Sequence, residues 1–195
     1  MMTKFSNLPA RRWALLVLVL TPLLSCGGGN DIDLPRPTEP LETTVFDLLE
    51  GPLDRASAFD VVAGRGLGEP RAVRVDQSAQ WDIAFAEMGG QPVWLPRGFF
   101  EANEPSSGIT LLNRAFEEIT NVPGNSEDYE DMDPVPASVG AVYAIRSRSD
   151  PTLSLPCRVF AKLEVLSIEL DPARVQFRFL WNPNCDDTNV TPEDS

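Results

Sequence analysis

Val159-Phe160-Ala161-Lys162-Leu163-Glu164-Val165-Leu166 and, past Asp171-Pro172, Arg174-Val175-Gln176-Phe177-Arg178-Phe179-Leu180-Trp181 decide the fold. In both runs alternate residues are apolar: Val159, Ala161, Leu163 and Val165 in the first, Val175, Phe177, Phe179 and Trp181 in the second. Period two is the mark of a strand with one buried face. The first strand runs on to Leu170, and Asp171-Pro172 supplies the turn. An antiparallel pairing in which the two positions sum to 342 places Leu163 opposite Phe179, Val165 opposite Phe177 and Ala161 opposite Trp181. Every apolar partner then lies on one side, and Glu164 meets Arg178 on the other. The same sum pairs Cys157 with Cys185, so a disulfide across the open end of this hairpin is geometrically natural.

Further short strands are expected upstream. Thr43–Leu49, Ala58–Val62, Arg71–Val75, Trp81–Ala86 and Val139–Ile145 are short runs rich in apolar residues, separated by Gly, Pro, Asp and Ser. In the fourth, Trp81, Ile83 and Phe85 are expected on one face and Asp82, Ala84 and Ala86 on the other. Val93–Pro96 is bracketed by prolines, which predicts an edge strand or a loop lying on the core. Gly64-Arg65-Gly66-Leu67-Gly68 has the glycines of a phosphate loop, but Glu69-Pro70 follows and no helical pattern does; it reads as a turn. Phe116–Ile119 has weak helical spacing only. Asn121–Pro136 is the longest irregular stretch, with Glu127, Asp128, Glu130, Asp131 and Asp133 around Tyr129 and Met132. Its spacing does not match a calcium loop, and it reads as a solvated acidic loop. The expected fold is all-β and mostly antiparallel, sandwich-like, with long loops.

The start of the chain has a different character. Lys4, Arg11 and Arg12 precede an apolar run from Trp13 to Leu20, which ends in Thr21-Pro22-Leu23-Leu24-Ser25-Cys26. A charged region, a short apolar region and a small residue before the cut make a secretory signal. A bilayer span needs about 20 apolar residues, more than are present. Leu23-Leu24-Ser25-Cys26 resembles the lipobox of bacterial lipoprotein signal peptides. The resemblance implies cleavage before Cys26 and acylation of its thiol. The alternative is an ordinary cleaved signal that leaves Cys26 unmodified. The organisation expected is a signal over residues 1–25, a Gly- and Pro-rich tether over 26–40 and one domain over 41–195, with little order before Leu41. Gly27 follows Cys26 in place of the aspartate associated with inner-membrane retention, which points to the outer membrane or the cell surface. Cys157 and Cys185, an even pair in an exported chain, suit the disulfide.

Charge narrows the partners. The chain carries a formal net charge of −13. Loss of residues 1–25 removes Lys4, Arg11 and Arg12 and no acid, so −13 becomes −16. Such a surface repels nucleic acid and anionic headgroups, and membrane association is expected through the lipid. There is no histidine. The commonest general base, the usual zinc ligand and the Ser–His and Cys–His pairs are therefore absent, and the expectation is a protein that is not an enzyme.

Four features together resemble the HmuY-like haem-binding lipoproteins: the lipobox signal; Trp81-Asp82-Ile83-Ala84-Phe85; Phe116-Glu117-Glu118-Ile119-Thr120 leading into an acidic loop; and the succession of Val142-Tyr143-Ala144-Ile145-Arg146, Ala161-Lys162-Leu163-Glu164-Val165-Leu166-Ser167 and Val175-Gln176-Phe177-Arg178-Phe179. The resemblance covers roughly residues 43–182. It implies an all-β, surface-exposed lipoprotein that captures haem for uptake through an outer-membrane receptor. The best-known members hold iron between two histidines. Here Met132 and Met88, the methionines left after signal removal, and the oxygen of Tyr129 are the candidate ligands, thioether ligation being chemically sound. A surface-interaction or structural lipoprotein on the same scaffold, without haem, is the alternative.

Overall fold

The computed structural model describes residues 33–100, 107–149 and 157–193. The signal and Cys26 lie outside the described residues. Ten strands are present among them: β1 (Leu41–Phe46), β2 (Ala58–Asp60), β3 (Arg71–Val73), β4 (Ile83–Met88), β5 (Gln91–Pro96), β6 (Gly108–Leu112), β7 (Val135–Pro136), β8 (Val142–Arg146), β9 (Phe160–Leu170) and β10 (Ala173–Asn182). They form two five-stranded sheets, ordered β1-β10-β9-β8-β6 and β3-β2-β4-β5-β7. Every ladder is antiparallel, and a single parallel bridge between Asp47 and Phe85 links the sheets. The helical segments described are single 3-10 turns, as at Phe116–Glu118 and Ser126–Asp128. The fold is all-β.

The β9–β10 hairpin organises the first sheet, and its observed register is the expected one over half its length. Phe177 faces Val165, Phe179 faces Leu163, Trp181 faces Ala161 and Asn182 faces Phe160. Nearer the turn the pairing shifts by one residue, so that Gln176 faces Ser167 and Val175 faces Ile168. A bulge at Leu166 absorbs the difference. It keeps Val165 and Ile168, three residues apart, both packed on the core. At the open end Cys157 and Cys185 are disulfide-bonded, with Cα atoms 5.0 Å apart.

The main core fills the space between the sheets. Phe59, Ile83, Phe85 and Trp94 from the second sheet meet Tyr143, Ile145, Leu163, Phe177 and Phe179 from the first. The rings pack edge to face, with Phe59 and Trp94 on Phe177 at 5.1 and 5.5 Å between centroids. Two smaller clusters cover the outer faces. One, on the first sheet, holds Phe116, Ile119, Val122, Tyr129, Val142, Ala144, Phe160, Leu180 and Val190. The other, on the second sheet, holds Trp81, Ala84 and Ala86.

The second cluster corrects the expectation for Trp81. It does not share a face with Ile83 and Phe85. Regular strand begins only at Ile83, because the Asp82 side chain is drawn inward. One Asp82 carboxylate oxygen accepts the N–H groups of Val61 and Val62 at 2.6 and 3.2 Å, and the other accepts the N–H of Arg148 at 2.7 Å. Trp81 is thereby turned to the outer face, against Phe100 and beneath Arg97. Val93–Pro96 also differs from expectation. It belongs to β5, which is covered on its free side by the two-residue β7 and is not an edge.

Order also begins earlier than Leu41. Asn184 accepts the Leu34 N–H at 2.7 Å and donates to the Leu34 carbonyl at 3.0 Å, and the Glu193 N–H reaches the Pro37 carbonyl at 3.1 Å. The chain from Asp33 to Pro37 is clasped by the C-terminal segment.

A candidate functional site at the disulfide end of the first sheet

Strand β8 is buried along its whole length. Tyr143 and Ile145 point to the main core, and Val142, Ala144 and Arg146 to the outer face. An arginine therefore continues an apolar row. Across the ladder Arg146 stands opposite Phe160 on one side and Gly108 on the other. Two residues before Phe160, on the same face by alternation, lies Arg158.

The segments on either side wall off this corner. The Val122 N–H donates to the Thr188 carbonyl at 3.1 Å and the Val190 N–H to the Thr120 carbonyl at 2.9 Å, locking the acidic loop to the C-terminal segment. The Asp186 N–H donates to the Arg158 carbonyl at 2.9 Å. Between them is a cavity of about 530 Å³, lined by Arg146 and Phe160 of the sheet, by Arg158, and by Ser126, Asp186 and Thr188 of the covering segments. Small-molecule sites fall in this size range.

Arg146 is 4% exposed. Its guanidinium lies 5.6 Å over the Tyr129 ring. The Nε atoms of both Arg146 and Arg158 are buried without a hydrogen-bond partner. Neither guanidinium forms an ion pair among the described residues. Burial pushes the Arg146 pKa down and the neighbouring charge of Arg158 pushes it further, against the pull of Asp131 and Tyr129. Another buried arginine is treated differently. Arg148 pairs with Asp60 at 2.9 Å and with Asp82 at 3.0 Å, and all three are buried. This cluster ties the end of β2 and the start of β4 to the segment that follows β8. It reads as structural.

The residues expected as haem ligands do not converge. Met88 ends β4, is 36% exposed, and pairs with Gln91 at the β4–β5 turn. Met132 lies beyond the opposite end of that hairpin, its sulfur beside Gly98 just after β5. The five residue steps of β4 between the hairpin's ends correspond to about 16 Å. Tyr129 is built into the outer cluster, 6% exposed, with its hydroxyl donating to the Pro123 carbonyl at 2.7 Å. Burial pushes its pKa well up, so the phenolate is disfavoured. In the acidic loop, Glu130 accepts the N–H groups of Met132 and Asp133 at 3.0 and 2.9 Å and so closes its own turn. No group of three metal-binding side chains occurs among the described residues.

Sequence reasoning missed Arg146 and Arg158 as a pair. The signal for one of them was there: Val142 and Ala144 make both faces of β8 apolar, so an arginine in register with them is buried. Nothing in the sequence brings Arg158 to it before the β8–β9 register is known. No family model matches the chain, and the searches of curated proteins and of solved structures find nothing similar to it.

Proposed function

We propose that the chain is a lipid-anchored, extracytoplasmic binding protein whose ligand sits in the cavity over Arg146, Arg158 and Phe160. The observation that carries the binding role is that cavity: a roomy site lined by two guanidiniums whose Nε atoms lack hydrogen-bond partners and which form no ion pair among the described residues. The anchor rests on the lipobox at Leu23-Leu24-Ser25-Cys26, with the outer membrane or cell surface as its destination. Expression of the full chain in a bacterium fed radiolabelled palmitate tests the anchor. Label in the membrane fraction that Cys26→Ser abolishes is the expected result. Unlabelled, freely released protein would remove the anchor from this reading.

Haem capture for an outer-membrane receptor is a second reading. It rests on the HmuY-like resemblance and on the exposed thioether of Met88. Two methionines at opposite ends of one hairpin favour ligation by a single sulfur, if any. A haemin titration of the full chain decides. A saturable Soret shift lost in Met88→Ala or Met132→Ala supports haem. A featureless titration leaves a binding protein of the same scaffold with another ligand.

A further inference from the structure

We propose that the cavity at the disulfide end of the first sheet is an oxyanion site, taking the carboxylate or phosphate group of its ligand between Arg146 and Arg158. This deepens the reading of the cavity as the ligand site and does not depend on the lipid anchor.

The first argument is the contrast between arginines in one molecule. Arg148, equally buried, has two carboxylates and forms short ion pairs with both. Arg178, on the outer face of the same sheet, has Glu164 and Glu117. The fold therefore supplies counter-charges to its guanidiniums where they serve structure. Arg158 stands close enough for its charge to disfavour that of Arg146, and although Asp131 pulls the other way on Arg146, neither guanidinium forms an ion pair among the described residues. An unpaired buried charge is costly, and so are two orphaned N–H donors. An anion in the cavity removes both costs.

The second argument is geometry. The guanidinium is a planar fork of donors that matches carboxylate and phosphate oxygens, and two forks can share one such group. Phe160 offers an apolar wall for the rest of the ligand, and Ser126 and Thr188 also line the cavity. The exposed carboxylates of Glu127 and Asp186 also line the opening. They oppose indiscriminate uptake of anions by an already acidic protein, so only a group that reaches the floor is held.

Calorimetric titration of the full chain in detergent with inorganic phosphate, citrate and a short-chain phosphatidylglycerol tests the proposal. Saturable binding of phosphate or citrate is expected, weakened about tenfold or more by Arg158→Gln, as the loss of charge-assisted hydrogen bonds requires. Arg74→Gln, which removes an exposed arginine paired with Asp76, should leave binding unchanged. Arg158→Gln spares the more deeply buried Arg146 and is the safer variant to fold; an unchanged melting temperature confirms that it does. Binding of the lipid in competition with phosphate identifies a headgroup as the source of the anion, and binding of the soluble anions alone identifies a small solute. Absence of saturable binding by all three probes, or binding that Arg158→Gln leaves intact, overturns the proposal. Either failure leaves the palmitate result untouched, so loss of this site and loss of the anchor are told apart.

Discussion

Lys162 shows how a single residue is held on the outer face of the first sheet. It is 2% exposed, yet its ammonium donates to the Phe116 and Ile119 carbonyls at 2.9 and 2.7 Å and sits 4.5 Å over the Phe116 ring. These carbonyls belong to a 3-10 turn and its exit, so the lysine pins the covering segment to the sheet. Arg178 lies over the same ring at 4.5 Å and pairs with Glu117 of that turn. Burial depresses the Lys162 pKa from 10.5 to about 8. The folded pKa is below the unfolded one, so between pH 8 and 10.5 the unfolded chain holds more protons. Burial of the charge costs stability in full below pH 8, and the cost fades as pH rises through that window, by up to about 3 kcal/mol. Urea unfolding at pH 8 and 10 should show this gain in the native chain and its loss in Lys162→Met. Equal pH slopes in the two proteins would refute it. The alternation of β9 placed Lys162 opposite the core, but not beneath a covering turn; that turn has almost no periodic signal, and only tertiary packing buries the amine.

At the scale of elements, legibility follows period two. The β9–β10 hairpin was readable because ten- and eleven-residue strands repeat the alternation often enough to set the register. The bulge at Leu166 was not, because an extra residue costs little pattern when Leu166 and Ser167 are both half-buried. Two- and three-residue strands such as β2, β3 and β7 left boundaries vague. Trp81 failed for a further reason: Asp82 serves backbone N–H groups of another segment, and a side chain used that way breaks the alternation around it. Arg146 and Arg158 stayed hidden because a cavity is a product of register and loop closure together. The disulfide is where the element scale becomes energetic. Cys157 and Cys185 are 28 residues apart and close the whole hairpin. Loop-closure entropy then gives about 3.5 kcal/mol of stabilisation by constraint of the unfolded chain. Reduction, or replacement of both cysteines by serine, should lower the unfolding free energy by roughly that amount in a urea titration. A change below about 1 kcal/mol would mean that the unfolded hairpin is already closed without the bond. The same bond anchors Arg158 and Asp186, each next to a bridged cysteine, so the double-serine variant should also weaken phosphate binding.

For the whole molecule the question is what the proposed anchor would require of an acidic domain. Its net charge of −13, or −16 if residues 1–25 are removed, would make an anionic surface repel it. The proposed anchor at Cys26 would oppose that repulsion only over the length of chain between Cys26 and the folded domain. A tether running to Leu41 allows about 50 Å of extended chain, whereas one ending at Asp33 allows about 25 Å. The clasp at Asn184 selects the shorter reach. Its side chain bonds both backbone groups of Leu34, as a neighbouring strand would, and also the Asp33 carboxylate at 3.1 Å. The clasp is local, and the strands beneath it do not depend on it, so Asn184→Ala should free the strap without unfolding the sandwich. Hydrogen exchange reads this directly. The Leu34 amide should be protected in the native chain and exchange at an unprotected rate in Asn184→Ala, while amides of β9 and β10 keep their protection. Fast exchange at Leu34 in the native chain would mean that the strap is open in solution, and the proposed anchor would then act over the longer reach.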